Sequence, residues 1–285
     1  MVKFLAFFRN APFFPLAVLA AFVFLGVFGE WIAPHDPVEG SLMDSLTPPF
    51  WEAGGKWKYP LGTDSLGRDI LSRIMGGAGI SLQIGILVVF VAGLMGTLLA
   101  CLAGYLGGAV DTVIMRVVDL VMSIPYLVLA IVLAAILGAS VYNNIIILGA
   151  VIWTYYCRVL RSEVLRLRES DFVRLAVVGG CSKGKIMLVH IFPNIVNTLV
   201  VIATLNLGTV IIAESSLSFL GLGVPPPSPA WGSMVADGRD YVGQAWWVSF
   251  WPGLAIFLVV MSFNLVGDWL RVRLDPKFRQ MAGGS

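Results

Sequence analysis

The sequence predicts an all-α integral membrane protein with six transmembrane helices and both termini in the cytoplasm. Three observations carry this. Of the 285 residues 58% are hydrophobic and 13% charged, roughly half the ~25% charge of a water-soluble domain. Six apolar segments are long enough for a hydrocarbon core of about 30 Å, which takes about 20 helical residues. The lysines and arginines fall unequally on the loops between those segments.

The predicted spans are 12–33, 80–106, 113–138, 144–160, 192–222 and 249–270. Lys3 and Arg9 ahead of the first give it the look of a secretory signal, but its apolar run exceeds a signal core and further spans follow. With the N-terminus inside, Lys3, Arg9, Arg116, the run Arg158 to Lys185, and Arg271 to Arg279 lie on the cytoplasmic side. Only Lys56, Lys58, Arg68, Arg73 and Arg239 lie outside, which is the positive-inside pattern. The organisation expected is a tail 1–11, a first span 12–33, an external loop 34–79, a five-helix core 80–272 with a cytoplasmic loop 161–191, and a tail 273–285.

Within the spans, Ala100, Gly104 and Gly108 recur every four residues, the spacing that lets a neighbouring helix approach closely. Pro125 and Pro252 are expected to kink the third and sixth spans. Trp246, Trp247 and Trp251 sit where an interfacial aromatic belt is expected. The long loop Pro34 to Ile74 reads as a membrane-resting segment, a lid or a contact for another protein.

Little chemistry is encoded. Cys101, Cys157 and Cys181 are too few and scattered for a disulfide framework or a CxxC site, and His35 and His190 form no ligand spacing. No catalytic residue, cofactor-binding residue or metal ligand is expected on this chain. Gly179, Gly184 and Lys185 fit the spacing of a phosphate loop, but Ile186 stands where a hydroxyl is needed. Asp119 is expected to pair with Arg116 one turn away. Glu214 falls about 31 Å along a helix begun at Pro193, which makes it a solvated outer-interface carboxylate or an outer-gate residue. Near the midplane the neutral residues Thr97, Pro125, Tyr126, Thr204, Asn206 and Thr209 are candidates for a translocation path.

The informative stretch is Ser170 to Asn194, "SDFVRLAVVGGCSKGKIMLVHIFPN". Arg174 is the only charge among Phe172, Val173, Leu175, Ala176, Val177 and Val178, so a short helix here needs a partner to bury it. A basic loop on lipid headgroups explains the lysines but not that apolar run. A helix, a turn at Gly179–Gly180 and a second helix running to Pro193, which suits the first turn of the next span, would make a rigid knob.

This segment resembles the cytoplasmic EAA loop of ABC-importer permeases, through Arg174-Leu175-Ala176, then Gly180, then His190-Ile191-Phe192-Pro193. It departs from that pattern at the Glu, the first Ala, the Ile and the Leu. "YPLGTDSLGRDILSR" (59–73), "SFLGLGVPPPSPAWGSM" (218–234) and "FNLVGDWLRVRLDPKF" (263–278) resemble the dipeptide, oligopeptide and nickel branch of the same family. The resemblance spans the chain in order and points to the second of two permease subunits.

It implies a type I ABC-importer permease fold, a non-enzymatic subunit and alternating access driven by ATP and magnesium bound on partner ATPases. The implied partners are a second homologous permease, two ABC ATPase subunits, an external substrate-binding protein and membrane lipid, with no nucleic acid. The implied coupling residues are Phe172, Arg174, Leu175, Ala176, Gly180 and Pro193. Peptides are the expected cargo and nickel or a metal chelate the alternative. An ion-coupled secondary transporter is a third reading, for which midplane carboxylates and an internal repeat would be expected.

Overall fold

The computed structural model describes residues 11–274, so most of both predicted tails lies outside the described residues. The helices are α1 (Phe13–Ile32), α2 (Ile70–Leu106), α3 (Gly108–Met122), α4 (Tyr126–Leu137), α5 (Val141–Arg168), α6 (Asp171–Val178), α7 (Lys183–Phe219), α8 (Trp231–Arg239) and α9 (Trp247–Leu274). Five are long and apolar enough to cross a membrane. The pair α3 and α4, bent by 85° at the break between them, makes a sixth span if counted as one.

The core is built on α2 and α5, which run in the same direction at close range. A Cβ at Gly96 would lie 2.5 Å from Tyr156 Cβ, and one at Gly104 would lie 2.7 Å from Val164. Ala100, between them, is fully buried. Small residues thus set this contact, where packing at short separation replaces a hydrophobic drive. Gly108 does not extend the stripe as the spacing predicts. The chain turns at Gly107, at φ 68°, and Gly108 opens α3 with nothing near it.

Helix α7 lies antiparallel to α2, with Gly85 facing Leu207 and Gly93 facing Leu199. On its far side α9 packs through Gly267 against Leu205. Helix α1 meets α2 where Gly26 faces Leu82 and Gly29 faces the Met75 backbone. Phe22 of α1 completes a second, smaller core with Trp231 and Phe263, ring centroids 5.7 and 6.2 Å away.

Span boundaries differ from the sequence reading in physical ways. The second helix starts ten residues earlier than residue 80, because Asp69 caps it by accepting from the Ser72 N–H at 3.0 Å. Arg73, read as a loop charge, is buried in that first turn, donating to Pro37 O at 3.1 Å and lying 3.5 Å from Asp64. The fourth span runs on to Arg168. The fifth begins at Lys183, so the predicted second helix of the knob and the span are one rod. A π-helical stretch, Ile186–Ile191, lies just before Pro193; such a local change in bonding accommodates a proline without an N–H.

The segment between α1 and α2 is ordered against the body. Asp64 accepts from the Arg68 side chain at 2.7 Å and from the Arg68 and Leu66 backbone N–H groups. Asp237 of α8 reaches Arg68 at 3.4 Å; burial pushes its carboxyl above the usual range, opposed by Arg68 and Arg73. Trp247 is buried and donates to Thr63 O, and Trp246 donates to Glu52. Two of the three tryptophans read as a lipid belt therefore bond to this segment instead.

Candidate functional site

Two features stand out from the scaffold, a cleft within the helical body and the short helix α6 at its arginine-rich end. The cleft, of about 450 Å³, opens at the break between α3 and α4. Pro125 and Tyr126 come from that break, Thr154 and Tyr155 from α5, and Asn206 and Thr209 from α7. Among the described residues no charged side chain lines it. Pro125 lies in extended backbone at φ −52° and ψ 126°, which ends the α3 direction and starts α4 at a new angle. Asn206 donates back to Ile202 O at 3.0 Å and Thr154 to Val151 O at 2.9 Å, so their remaining acceptor capacity faces a neutral space.

Of the neutral residues chosen from sequence, Pro125, Tyr126, Asn206 and Thr209 meet here. Thr97 and Thr204 do not. Thr97 is buried where α2 faces α7, and Thr204 is half-buried, donating to Val200 O. Thr154 and Tyr155 were missed, although Val151, Thr154 and Tyr155 hold the three- and four-residue spacing of one helix face.

Glu214 is not solvated. It is 1% exposed and accepts from Ser218 at 2.7 Å, and the same hydroxyl accepts from the Val224 N–H. The reason is the chain that follows. A Schellman turn at Gly221, with Leu222 N–H on Leu217 O and Gly221 N–H on Ser218 O, folds residues 222–230 back over this end of α7. Asp119 also departs from expectation. It pairs with Arg158 of α5 rather than Arg116 of its own helix, because α3 packs along α5.

At the arginine-rich end, α6 closes in a Schellman motif. Cys181 N–H bonds Ala176 O, Gly180 N–H bonds Val177 O, and Gly180 takes φ 75°. Ser182 then caps α7, accepting from Lys185 N–H. Val173 is buried against the body, with Ala176 partly so. Leu175 and Val178, at 70% and 86% exposed, point away from it. Phe172 and Arg174 are exposed, and Pro193 lies beyond the π-helical stretch. Arg174 and Arg168 both grip Glu169, whose carboxyl they hold below its ordinary range.

Residues 96–280 match the model of the family described as binding-protein-dependent transport system inner membrane component. The chain belongs to that family. This permease is 42% identical to the di/tripeptide transport system permease protein DppC of Pseudomonas aeruginosa (strain UCBPP-PA14), over 94% of its own length and 88% of that protein's. It is 44% identical to the dipeptide transport system permease protein DppC of Escherichia coli (strain K12), with 93% and 88% covered. To the probable D,D-dipeptide transport system permease protein DdpC of the same strain it is 41% identical, with 95% and 89% covered. It is accordingly a multi-pass inner-membrane component that works with other parts of a transport system.

Proposed function

We propose that this permease lets di- or oligopeptides through the membrane, pairing with a second permease, receiving cargo from an external binding protein and driven by two ATPase subunits. The observation that carries the coupling is α6, an apolar helix whose Leu175 and Val178 face outward while Val173 ties it to the body. An exposed apolar face of this kind needs a protein partner. The relatives reported above are named for peptide substrates, which favours peptides over nickel. In this reading the segment between α1 and α2 faces the exterior and α6 the cytosol, as the basic residues require.

The mechanism is alternating access. ATP and magnesium bind on the partner ATPases, whose approach moves α6. Phe172, Leu175 and Val178 are the gripped surface, Arg174 holds the helix to Glu169, and Gly180 and Pro193 fix the angle at which α7 leaves the turn. Movement passes into α5 and α7, both of which line the cleft. Tyr126, Asn206 and Thr209 form part of the passage; its neutral lining passes varied side chains without strong retention. Glu214, locked under the chain that follows α7, belongs to the outer closure. Two conformations are shifted only by a partner that binds them unequally, and the ATPase pair in its ATP-bound form is that partner.

The test is uptake of a labelled dipeptide into vesicles holding the full complex. Uptake should need ATP and the binding protein, and Leu175→Asp should abolish it while the spans still insert. Uptake driven by an ion gradient without ATP would overturn the proposal.

A further inference from the structure

We infer that the permease carries a binding site for an anionic phospholipid on the face formed by α2 and α7. An apolar groove of about 790 Å³ runs between these helices, walled by Phe90, Leu94 and Leu98 of α2 and by Met187, Leu199 and Ala203 of α7. Its lining on α2 extends from Ile86 to Leu102, about 24 Å at 1.5 Å per residue, long enough for an acyl chain. Among the lining residues the only hydroxyl is that of Thr97.

The groove leads to a cationic pocket. Leu102 stands one turn from Leu106, and Gly184 is next to Lys183; Leu106 and Lys183 line a second cavity, of about 430 Å³, with Tyr105 and Arg168 and with one side of α6, Val173, Arg174, Val177 and the edge of the otherwise exposed Val178. Among the described residues three cations line it; Arg168 and Arg174 share Glu169, Arg168 also donates to Gly104 O at 3.2 Å, and Asp171 at the start of α6 makes no ion pair. The nearby Asp111 is engaged by Arg161. Lys183 has no acidic partner among the described residues.

A long apolar trough ending in surplus positive charge at the end of a span is the shape of a phospholipid. The chain fills the trough and the phosphate meets Lys183 and Arg168. A helix from a second permease would match the trough but would leave the cations unanswered. The groove also uses a different face of α7 from the cleft, Leu199, Ala203 and Leu207 against Asn206 and Thr209, so a lipid here does not obstruct the passage.

The experiment is mass spectrometry of the intact complex released from nanodiscs of phosphatidylcholine with a minor fraction of phosphatidylglycerol. One phosphatidylglycerol should stay bound per copy of this chain, and millimolar inorganic phosphate should not displace it. Lys183→Gln with Arg168→Gln should lower occupancy roughly fivefold per charge removed. Ala203→Trp, which blocks the trough and leaves the cations, should lower it as well. A photoreactive residue at Leu98 in the otherwise unaltered complex should acquire the mass of a lipid. Equal retention of the two lipids, displacement by phosphate, or a Leu98 cross-link to a second permease would each overturn the assignment. Loss of ATP-driven uptake with lipid retention intact would instead count against the transport reading.

Discussion

Gly96 marks the closest approach of α2 to α5, and its neighbours on the other helix include backbone. A methyl group there would stand 2.7 Å from Trp153 O as well as against Tyr156, a contact that no rotamer change relieves. Gly96→Val should destabilise the purified permease by about 1–3 kcal/mol through overpacking, whereas Gly85→Ala, whose nearest neighbour is the tip of Leu207 at 3.5 Å, should be close to neutral. Thermal midpoints in one detergent separate the two. Charge tells the same story in the segment before α2. The side chains of Asp64 and Arg68 are 4% and 9% exposed, and Arg73 lies beside them. Asp64→Asn removes the nearest carboxylate from two buried guanidinium groups, leaving Asp237 for Arg68 and Pro37 O for Arg73, and should cost about 3 kcal/mol. Asp237→Asn, at a carboxylate whose side chain is 42% exposed, should cost under about 1 kcal/mol.

Elements explain how much was legible. The spans followed from apolar length alone, and Pro125 located the bend between α3 and α4, because a proline's effect on a helix is local. The first helix and the turn of the knob were legible too, since Gly179–Gly180 and the apolar run from Phe172 are read within ten residues, but its second helix proved continuous with the span. Glu214 and Trp247 were not, because their burial depends on chain that returns from elsewhere: residues 222–230 for one, Thr63 for the other. Arg73 failed for the same reason, as its partner Asp64 precedes the helix it sits in. Two predictions belong at this scale. Pro125→Ala removes a barrier of ~3 kcal/mol against continuing α3 into α4; it should straighten the bend, close the cleft and suppress uptake while the complex still assembles. Glu169 adds an exposed ion pair that steadies the start of α6 beside the buried Val173. With its carboxyl held below the ordinary value by Arg174 and Arg168, its stabilising effect is present above the unfolded value and lost as pH falls through the folded one. Glu169→Gln should therefore speed amide exchange in 171–178 at pH 7, and the difference from the unaltered protein should vanish once the pH is well below the ordinary carboxylate range. A difference that persisted there would mean that the substitution disturbs the helix by another route.

The whole molecule holds two cores that share α2 and α7, with Ile70 and Ala78 of α2 in the second and Ile84 to Ala100 in the first. One joins α2 to α5 and α7 and reaches into the arginine-rich end through Val173, Ile186 and Ile191, all buried. The other clasps α1, α8 and α9 around Phe22 and Trp231. A push on α6 enters the first core directly, and that core supplies the α5 and α7 walls of the cleft. The second core carries the segment between α1 and α2, so it serves as the frame against which the first can turn. Val173 is the joint, since it alone on α6 is buried while Leu175 and Val178 are left for a partner. Val173→Ala removes about two methyl groups from that joint and should loosen it by roughly 1–2 kcal/mol without altering the outward face. The ATPases should then still dock, and their resting hydrolysis should persist, but cargo-loaded binding protein should no longer accelerate it, and peptide uptake per ATP should fall. Phe22→Ala, which loosens the other core by about 3–5 kcal/mol, should instead lower stability while the ATP cost of each imported peptide stays the same in whatever complex survives. Equal ratios of uptake to hydrolysis in the two variants would mean that force does not enter through α6, and the mechanical division between the cores would fall with it.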